Sequence, residues 1–428
     1  MEWYKVDDLI ITPGKQGAER FGTFSYPVRY GRFSEIRTPA HTFLFNLNGE
    51  IKFIEGKGNN WPYPAEWLKR TAGNDWVYYS AGDYKGIYDL LGEYYYPYLS
   101  YPSNSILGDN PFESTRPKAV IDSWTALRRK ARGLLSRALP EASKALLLPV
   151  AQSTPGMLRS KAAQLHRVIG GRVTVLPPDS RHVDYDVIPV TIAEGCLLNC
   201  GFCRVKSGRS FKALPRADII AQMKHVKRLY GKDLRNYSAV FLGQHDALQA
   251  GRDIVCFAAE KAYDLFEFGH SYLKDPVLFL FGSPLSILRA EDGLFEALSS
   301  LPYSTTFINI GLEAADSATL RGLGRPVAVE TVREAFSRML DINRRYQKIE
   351  VTANFVFSDQ SSPDHFASLL ELTRSRLDPI RAKGAIYLSP VVDEQSLDDP
   401  RRRAILRRFH DLKAHSRLPT FLYLIQRL

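Results

Sequence analysis

The sequence predicts an α/β protein: a partial (β/α)6 barrel over residues 185–428, preceded by a smaller, aromatic-rich α+β domain. From residue 185 onward, short apolar runs alternate with longer amphipathic stretches, the pattern of a parallel sheet with helical crossovers. Residues 1–117 are rich in aromatic residues, Gly and Pro, and show no sustained helical period. Residues 118–184 carry apolar side chains at helical spacing, so we expect them to connect the two regions.

In the N-terminal region, residues 42–54 are predicted to form a β-hairpin. Two apolar runs flank Asn48-Gly49, a pair that readily adopts the positive φ angles of a tight turn. Tyr94–Tyr101 is rich in tyrosine and proline, and core packing is its favoured role. The alternative is a cap over the barrel that stacks on a sugar or ring. In the connecting region, the spacing predicts helices over 119–139 and 155–169.

The barrel region is predicted to alternate strand and helix from its first residue to its last. We expect strands at 186–192, 239–242, 277–281, 305–312, 349–357 and 385–388, with a seventh at 420–425. We expect helices at 215–230, 252–266, 291–300, 328–345, 363–376 and 400–414. In such sheets, active sites gather at the carboxyl ends of the strands.

The composition, 45% hydrophobic and 24% charged, is that of an ordinary globular protein. No apolar run has transmembrane length and the first residues do not resemble a secretory signal, so we expect a cytoplasmic protein. The net charge of +11 fits a nucleic-acid, acidic-membrane or anionic-substrate partner, or a generally basic surface. Its densest clusters, 128–132 and 401–408, fall in helical patterns, where a solvated face explains them equally well.

Three of the four cysteines lie close together: Cys196, Cys200 and Cys203 have the spacing C-x3-C-x2-C directly after the first predicted strand. Thiolates suit iron–sulfur clusters or zinc, and closed sites of either kind need four ligands. The remaining cysteine, Cys256, falls in an apolar helical pattern. A cubane iron–sulfur cluster that is held by only three cysteines keeps one iron open to a cofactor or substrate. The alternative interpretation is a structural or redox cluster of thiols.

This pattern resembles the radical S-adenosylmethionine superfamily, including the aromatic Phe202 just before the third cysteine, which the resemblance places among the cofactor-binding residues. The resemblance covers about residues 185–395. It implies a single [4Fe-4S] cluster on the three cysteines, with S-adenosylmethionine chelating the open iron. A one-electron reductant of the flavodoxin or ferredoxin type then drives cleavage to methionine and a 5′-deoxyadenosyl radical, which abstracts hydrogen from a substrate.

The resemblance also suggests residues that bind the cofactor. Gly243, Gln244 and His245 end the second predicted strand, where the family's glycine-rich loop receives the methionine amino group; the usual second Gly and Glu are replaced here by Gln and His. For His245 a packing or solvated role weighs equally. Glu313 ends the fourth strand in a Gly-Leu-Glu segment and is expected to accept hydrogen bonds from the ribose, with a loop or helix-cap carboxylate as the alternative.

Arg321 or Arg325 is expected to pair with the cofactor carboxylate, because a guanidinium binds carboxylates with two hydrogen bonds, unless both are surface arginines. Asn354 is a polar residue in the apolar fifth strand. We expect it either to face the adenine or to be a buried amide whose hydrogen bonds are made within the protein. Further candidates are Tyr387, Ser389 and Pro390 for the substrate cavity, and Arg204 and Lys206 beside the cluster. The sequence assigns no catalytic side chain.

Three functions stay open. The first is a radical enzyme acting on a small metabolite or natural-product intermediate, which the absence of a known RNA-binding motif favours. The second is a radical enzyme that modifies RNA, which the charge favours slightly and which predicts affinity falling steeply with salt. The third is a non-enzymatic iron–sulfur or zinc protein. A single cysteine beyond the motif argues against auxiliary clusters.

Overall fold

The computed structural model describes residues 2–20, 29–58, 66–80, 96–98, 112, 114–172, 187–203, 208–243, 246–357, 361–375, 383–390 and 399–422. Within these ranges the chain forms an eight-stranded sheet near the N-terminus and a seven-stranded sheet after it. The first is antiparallel throughout and the second is parallel throughout. The predicted α/β class, with a mainly β region ahead of a parallel sheet, is confirmed.

The antiparallel sheet is a meander in which each strand pairs with the next. Its strands are β1 (Tyr4–Val6), β2 (Leu9–Gln16), β3 (Arg32–Arg37), β4 (His41–Phe45), β5 (Ile51–Gly56), β6 (Glu66–Arg70), β7 (Trp76–Ser80) and β8 (Tyr96–Tyr98). The predicted hairpin over 42–54 is confirmed as β4–β5. Gly49 supplies the positive φ of its turn, at 74°. Of the predicted 94–101 stretch, only β8 lies within the described residues.

Three helices connect the sheets: α1 (Thr115–Leu134), α2 (Glu141–Gln152) and α3 (Pro155–Ile169). The side chain of Ser114 caps the start of α1, and that of Thr154 caps the start of α3. Gly170 ends α3 by adopting a left-handed backbone conformation. The predicted helix 119–139 ends earlier than expected, at Leu134. Pro140 prevents this helix from running on into α2, because a proline disfavours helical geometry in the residue before it; α2 begins directly after that proline.

The later strands are β9 (Ile188–Thr191), β10 (Ala193–Glu194), β11 (Lys212–Ala213), β12 (Ala239–Gly243), β13 (Val277–Gly282), β14 (Thr305–Glu313), β15 (Ile349–Phe357), β16 (Ile386–Pro390) and β17 (Thr420–Leu422). The parallel sheet has the order β17-β16-β15-β14-β13-β12-β9, and a two-stranded ribbon, β10–β11, lies outside it. The helices are α4 (Arg216–Tyr230), α5 (Gly251–Leu265), α6 (Pro284–Arg289), α7 (Asp292–Ser300), α8 (Ser317–Gly322), α9 (Val329–Arg345), α10 (Pro363–Ser375) and α11 (Asp399–His415). All seven predicted strands are present.

The antiparallel sheet is buried on both faces. On one face Phe43 and Leu68 belong to the same apolar cluster as Trp124 of α1 and the helix-facing side of the parallel sheet. On the other face Phe53 and Trp67 form a second cluster that includes Tyr387 of β16. The N-terminal sheet is therefore packed between the connecting helices and the parallel sheet.

A third cluster lies on the face of the parallel sheet that carries no helices, and it is largely aromatic. Phe279 and Phe307 stack with ring centroids 5.3 Å apart, and Phe241 meets Phe281 edge to face at 5.1 Å. These rings lie below the strand ends that carry the site. None of the described helices is both long enough and apolar enough to cross a bilayer.

Candidate active site

The cysteine loop begins where the β10–β11 ribbon opens, just after β9. Gly195 has φ +77°, and a Cβ there would lie 2.1 Å from the carbonyl oxygen of Ser210, so only glycine fits. The Cys196 amide donates to the Arg209 carbonyl at 3.2 Å. Asn199, also at positive φ, donates from Nδ2 to the Cys196 carbonyl at 2.7 Å. The first half of the loop is thus fixed by the Asn199 side chain and by the segment that leads into β11.

The second half of the loop is held by the turn that follows α8. The amides of Gly201 and Phe202 donate to the carbonyls of Gly324 and Leu323, each at 3.2 Å. Gly324 has φ +59°, and a Cβ on it would lie 3.1 Å from the Gly201 Cα. Two segments far apart in sequence therefore meet backbone to backbone. Phe202, expected beside the cofactor, is half-buried at this junction.

Arg325 links this turn to a cysteine and to the end of β14. Its Nη1 donates to the Sγ of Cys200 at 3.2 Å, and its Nη2 donates to the Gly311 carbonyl. Nη1 also lies 3.7 Å from Oε1 of Glu313. Burial raises the pKa of the Cys200 thiol above its ordinary value, while the Arg325 charge and hydrogen bond oppose that rise. Arg325 is thus a buried cation in contact with one of the three cysteines.

Glu313 stands at a β-bulge where β14 loses register with β15. Its φ of +69° is unusual for a residue other than glycine and turns the chain at the strand's carboxyl end. Burial raises the pKa of the Glu313 carboxyl, and the Arg325 charge opposes the rise. The side chain is 13% exposed, so a ligand has limited access to it.

The cysteines provide the right donors for an iron–sulfur cluster. Cys196, Cys200 and Cys203 are all free thiols, as is Cys256 on α5. Soft thiolates are the ligands such clusters prefer, and the Arg325 cation at Cys200 favours the thiolate form. In the described part of the chain, no group of three or more His, Cys, Asp or Glu side chains is arranged to hold a metal ion. The match between these cysteines and an iron–sulfur cluster therefore rests on the chemistry of the thiol donors and on the position of their loop.

The end of β12 is described only in part. Gly243 is buried, its carbonyl accepts from the Ile192 amide at 3.0 Å, and a Cβ on it would overlap the Phe241 ring. A larger residue there would force the Phe241 ring to shift. The predicted residues Gln244 and His245, like Arg204 and Lys206, lie outside the described residues.

Asn354 belongs to a buried amide pair that crosses β14 and β15. Its Nδ2 donates to Oδ1 of Asn309 at 2.7 Å, and Nδ2 of Asn309 donates to Oγ1 of Thr352 at 2.8 Å. Asn309 is almost fully buried, whereas Asn354 is partly exposed. The pair leaves one amide partly accessible, that of Asn354. Sequence reasoning missed Asn309, although a polar residue in an apolar strand was a usable signal.

The other predicted residues are spread around the site. Arg321 is exposed on α8, away from the contacts of Arg325. Tyr387 is buried and stacks on Phe421, with centroids 5.8 Å apart, inside the cluster shared with the N-terminal sheet. Ser389 is also buried. Tyr387 therefore contacts the N-terminal sheet, a placement that the sequence did not suggest.

Two buried acidic groups near the strand ends were also missed. Asp246 follows β12 and faces Ser283 and Ser286; burial raises the pKa of its carboxyl, and the two hydroxyls oppose that rise. Asp316 follows Glu313 in the chain and lies 2.9 Å from Nδ1 of His365. The pairing of Asp316 with His365 joins residues from different elements, so no local sequence pattern predicts it.

No family model matches the chain, and no curated protein matches it. Similar solved structures exist. The cobalamin-dependent S-adenosylmethionine radical enzyme OxsB matches with a TM-score of 0.33 and 14% identity, over 53% of this chain and 31% of OxsB. The chain therefore spans about a third of the OxsB length.

HydG, a maturase of the [FeFe]-hydrogenase, matches with a TM-score of 0.35 and 10% identity, over 74% of this chain and 72% of HydG. Methylornithine synthase (PylB) matches with a TM-score of 0.33 and 12% identity, over 68% of this chain and 81% of PylB. The structure is thus similar to those of radical S-adenosylmethionine enzymes, at a level that carries no conclusion about activity.

Proposed function

We propose that this chain is a radical S-adenosylmethionine enzyme whose [4Fe-4S] cluster is held by Cys196, Cys200 and Cys203. One observation carries the proposal: three free thiols share a short loop at the carboxyl edge of a parallel sheet, and a buried arginine contacts one of them. Three thiolates leave one iron of a cubane without a protein ligand. When bound, the reduced cluster supplies the electron that splits S-adenosylmethionine into methionine and a 5′-deoxyadenosyl radical.

In this proposal the chain's own residues bind and orient the cluster and the cofactor, and they shield the reacting C–H bond from water. Arg325 stabilises the Cys200 thiolate and holds the loop against β14. Gly243, Gln244 and His245 receive the cofactor's amino end, and Glu313 and Asn354 offer polar contacts to its nucleoside part. The aromatic surface below them, with Phe241 among its rings, keeps water from the reacting C–H bond.

The substrate we propose is a small metabolite or natural-product intermediate, with a flavodoxin- or ferredoxin-type protein as reductant. A specific observation weighs against the RNA alternative. Within the 128–132 cluster, Arg128 is buried and donates to the Ala151 carbonyl at 3.4 Å, and Lys130 pairs with Asp8. Nearby Arg137 pairs with Asp7 at 2.9 Å. Arg128 therefore joins α1 to α2, while Lys130 and Arg137 are paired with acidic residues of the β1–β2 turn, so these three charges are already engaged within the chain.

The cysteine assignment is tested by comparing Cys200→Ala with Cys256→Ala after anaerobic reconstitution. We expect the first variant to lose the full complement of cluster iron and sulfide, and the second to keep it, because Cys256 lies on α5. In the wild type, adding S-adenosylmethionine should change the electron paramagnetic resonance spectrum of the reduced cluster. A full cluster without Cys200, or a spectrum indifferent to the cofactor, would contradict the proposal and favour a structural or redox metal protein.

A further inference from the structure

His365, near the start of α10, is a buried histidine outside the site described so far. Its side chain is 1% exposed and lies between the start of α8 and the end of β15. A histidine this deeply buried needs a partner for each polar ring atom, because an unpaired buried donor or acceptor is costly. Both ring nitrogens have such partners.

On one side the ring meets Asp316, the residue that caps α8. Oδ1 of Asp316 accepts from the Thr319 amide at 2.8 Å, and Oδ2 lies 2.9 Å from Nδ1 of His365. Burial alone would raise the pKa of this carboxyl, but the hydrogen bonds from Thr319 and the contact with His365 outweigh it and lower the pKa. Asp316 is therefore an ionised acceptor with no proton to give.

On the other side Nε2 of His365 lies 3.0 Å from the carbonyl oxygen of Val356 in β15. A carbonyl oxygen accepts hydrogen bonds and cannot donate them. The ring therefore bridges an acceptor at the end of β15 and an acceptor at the start of α8, one at each nitrogen.

This contact is one link in a series that ends at the cysteine loop. Asp316 fixes the start of α8, and the turn after α8 carries the Leu323 and Gly324 carbonyls that accept from Phe202 and Gly201. Arg325, next in the chain, reaches Cys200. A displacement at the start of α8 would therefore reach the cysteines through a short, rigid segment.

We propose that His365 is a positioning residue: its buried ring bridges the end of β15 and the start of α8 and thereby holds the cysteine loop in place. It touches neither a cysteine nor any proposed cofactor contact. Its effect on cluster retention rests on the proposed function. The bridge and its effect on the loop are properties of the metal-free protein.

The positioning is tested by hydrogen exchange in the loop. A glutamine cannot donate to acceptors on both sides, so His365→Gln should speed exchange at the Gly201 and Phe202 amides by about ten-fold, the loss of one charge-assisted hydrogen bond. The matched control is His225→Gln, on an exposed position of α4, which should leave those amides unchanged. Unchanged loop exchange in the His365 variant would overturn the positioning role.

Retention of the cluster is the last readout. We expect His365→Gln to lose iron to a chelator faster than the wild type and His225→Gln to match the wild type. If the wild type never assembles a cluster, the proposed function fails while the exchange results on the metal-free protein still decide the role of His365. If the cluster assembles and both variants hold it equally, the link from His365 to the cysteines is wrong.

Discussion

At the scale of single residues, Arg325 does more than any other described side chain to join the parts of the site. It contacts Cys200, the Gly311 carbonyl and Glu313, and its own side chain is 5% exposed. Its charge is balanced by one carboxylate and by whatever negative charge the thiolates carry. Removing it would leave Glu313 buried without its cation.

Arg325→Gln should therefore lower the free energy of unfolding by about 3 kcal/mol, the usual cost of breaking a buried ion pair from one side. Urea denaturation of the metal-free protein measures this. The comparison is Arg333→Gln, whose ion pair with Glu371 is exposed and 3.9 Å long, and for which a change below about 0.5 kcal/mol is expected. Equal changes in the free energy of unfolding of the two variants would mean that the ion pair between Arg325 and Glu313 contributes little to stability.

The sequence predicts residue identities at this site better than residue contacts. The three cysteines lie close together in the sequence, so their spacing alone indicates their chemistry. The contact between Arg325 and Cys200 depends on how the turn after α8 bends back to the loop, and the Asn309–Asn354 pair depends on the register of two strands. The roles of Glu313, Gln244 and His245 toward the cofactor stay predictions.

At the scale of elements, the cysteine loop and the turn after α8 approach so closely that side chains are excluded between them. Gly201 and Gly324 face each other, and a Cβ on Gly201 would lie 3.0 Å from the Leu323 carbonyl oxygen. The two amide–carbonyl bonds across this junction require that approach.

Gly324→Ala should disturb the junction, because alanine at φ +59° is strained by about 1–2 kcal/mol and its methyl group meets Gly201. We expect less iron per protein after reconstitution and a lower melting temperature. Gly322→Ala, at the end of α8 where a Cβ meets nothing within 4 Å, is the control and should leave both unchanged or slightly improved. Wild-type iron content in the Gly324 variant would contradict a rigid junction.

The elements themselves were largely readable from the sequence. The seven strands were predicted because apolar runs of strand length recur between helical patterns, and the β4–β5 hairpin because of its Asn-Gly turn. The short helices α6 and α8 were not predicted, since each is a single capped segment with too few residues to show a period. The domain boundaries at 117 and 184 stay predictions.

At the scale of the whole molecule, a buried charge network joins the N-terminal sheet to the rest of the chain. Glu50, beside the β4–β5 turn, lies 2.5 Å from Nζ of Lys161 in α3 and 3.6 Å from Arg70 in β6. Nδ2 of Asn46 donates to Glu50 at 3.0 Å and to Asp233, after α4, at 3.1 Å. Contacts from three regions of the chain therefore converge on one hairpin.

The network predicts a pH dependence. Burial raises the pKa of Glu50, but Lys161, Arg70 and Asn46 outweigh it and hold the pKa below the ordinary 4.5. The depressed folded-state pKa means that the stabilisation is present above pH 4.5 and is lost as the pH falls through the folded value. Glu50→Gln should cost about 2 kcal/mol of unfolding free energy near neutral pH and progressively less in acid.

Urea denaturation at a series of pH values measures this difference. Glu371→Gln, at an exposed ion pair, serves as the control, and its small effect should not vary with pH in the same way. A Glu50 effect that stays constant from neutral pH into acid would contradict the assignment of a charged network.

The central claim, that the cysteine loop supports radical chemistry, is tested most directly by one product. The protein is reconstituted anaerobically with iron and sulfide, reduced, and mixed with S-adenosylmethionine, and 5′-deoxyadenosine is quantified by mass spectrometry. We predict that 5′-deoxyadenosine forms in the reconstituted wild type and is absent in Cys200→Ala. A fully loaded cluster that yields no 5′-deoxyadenosine, even with candidate substrates present, would contradict the claim.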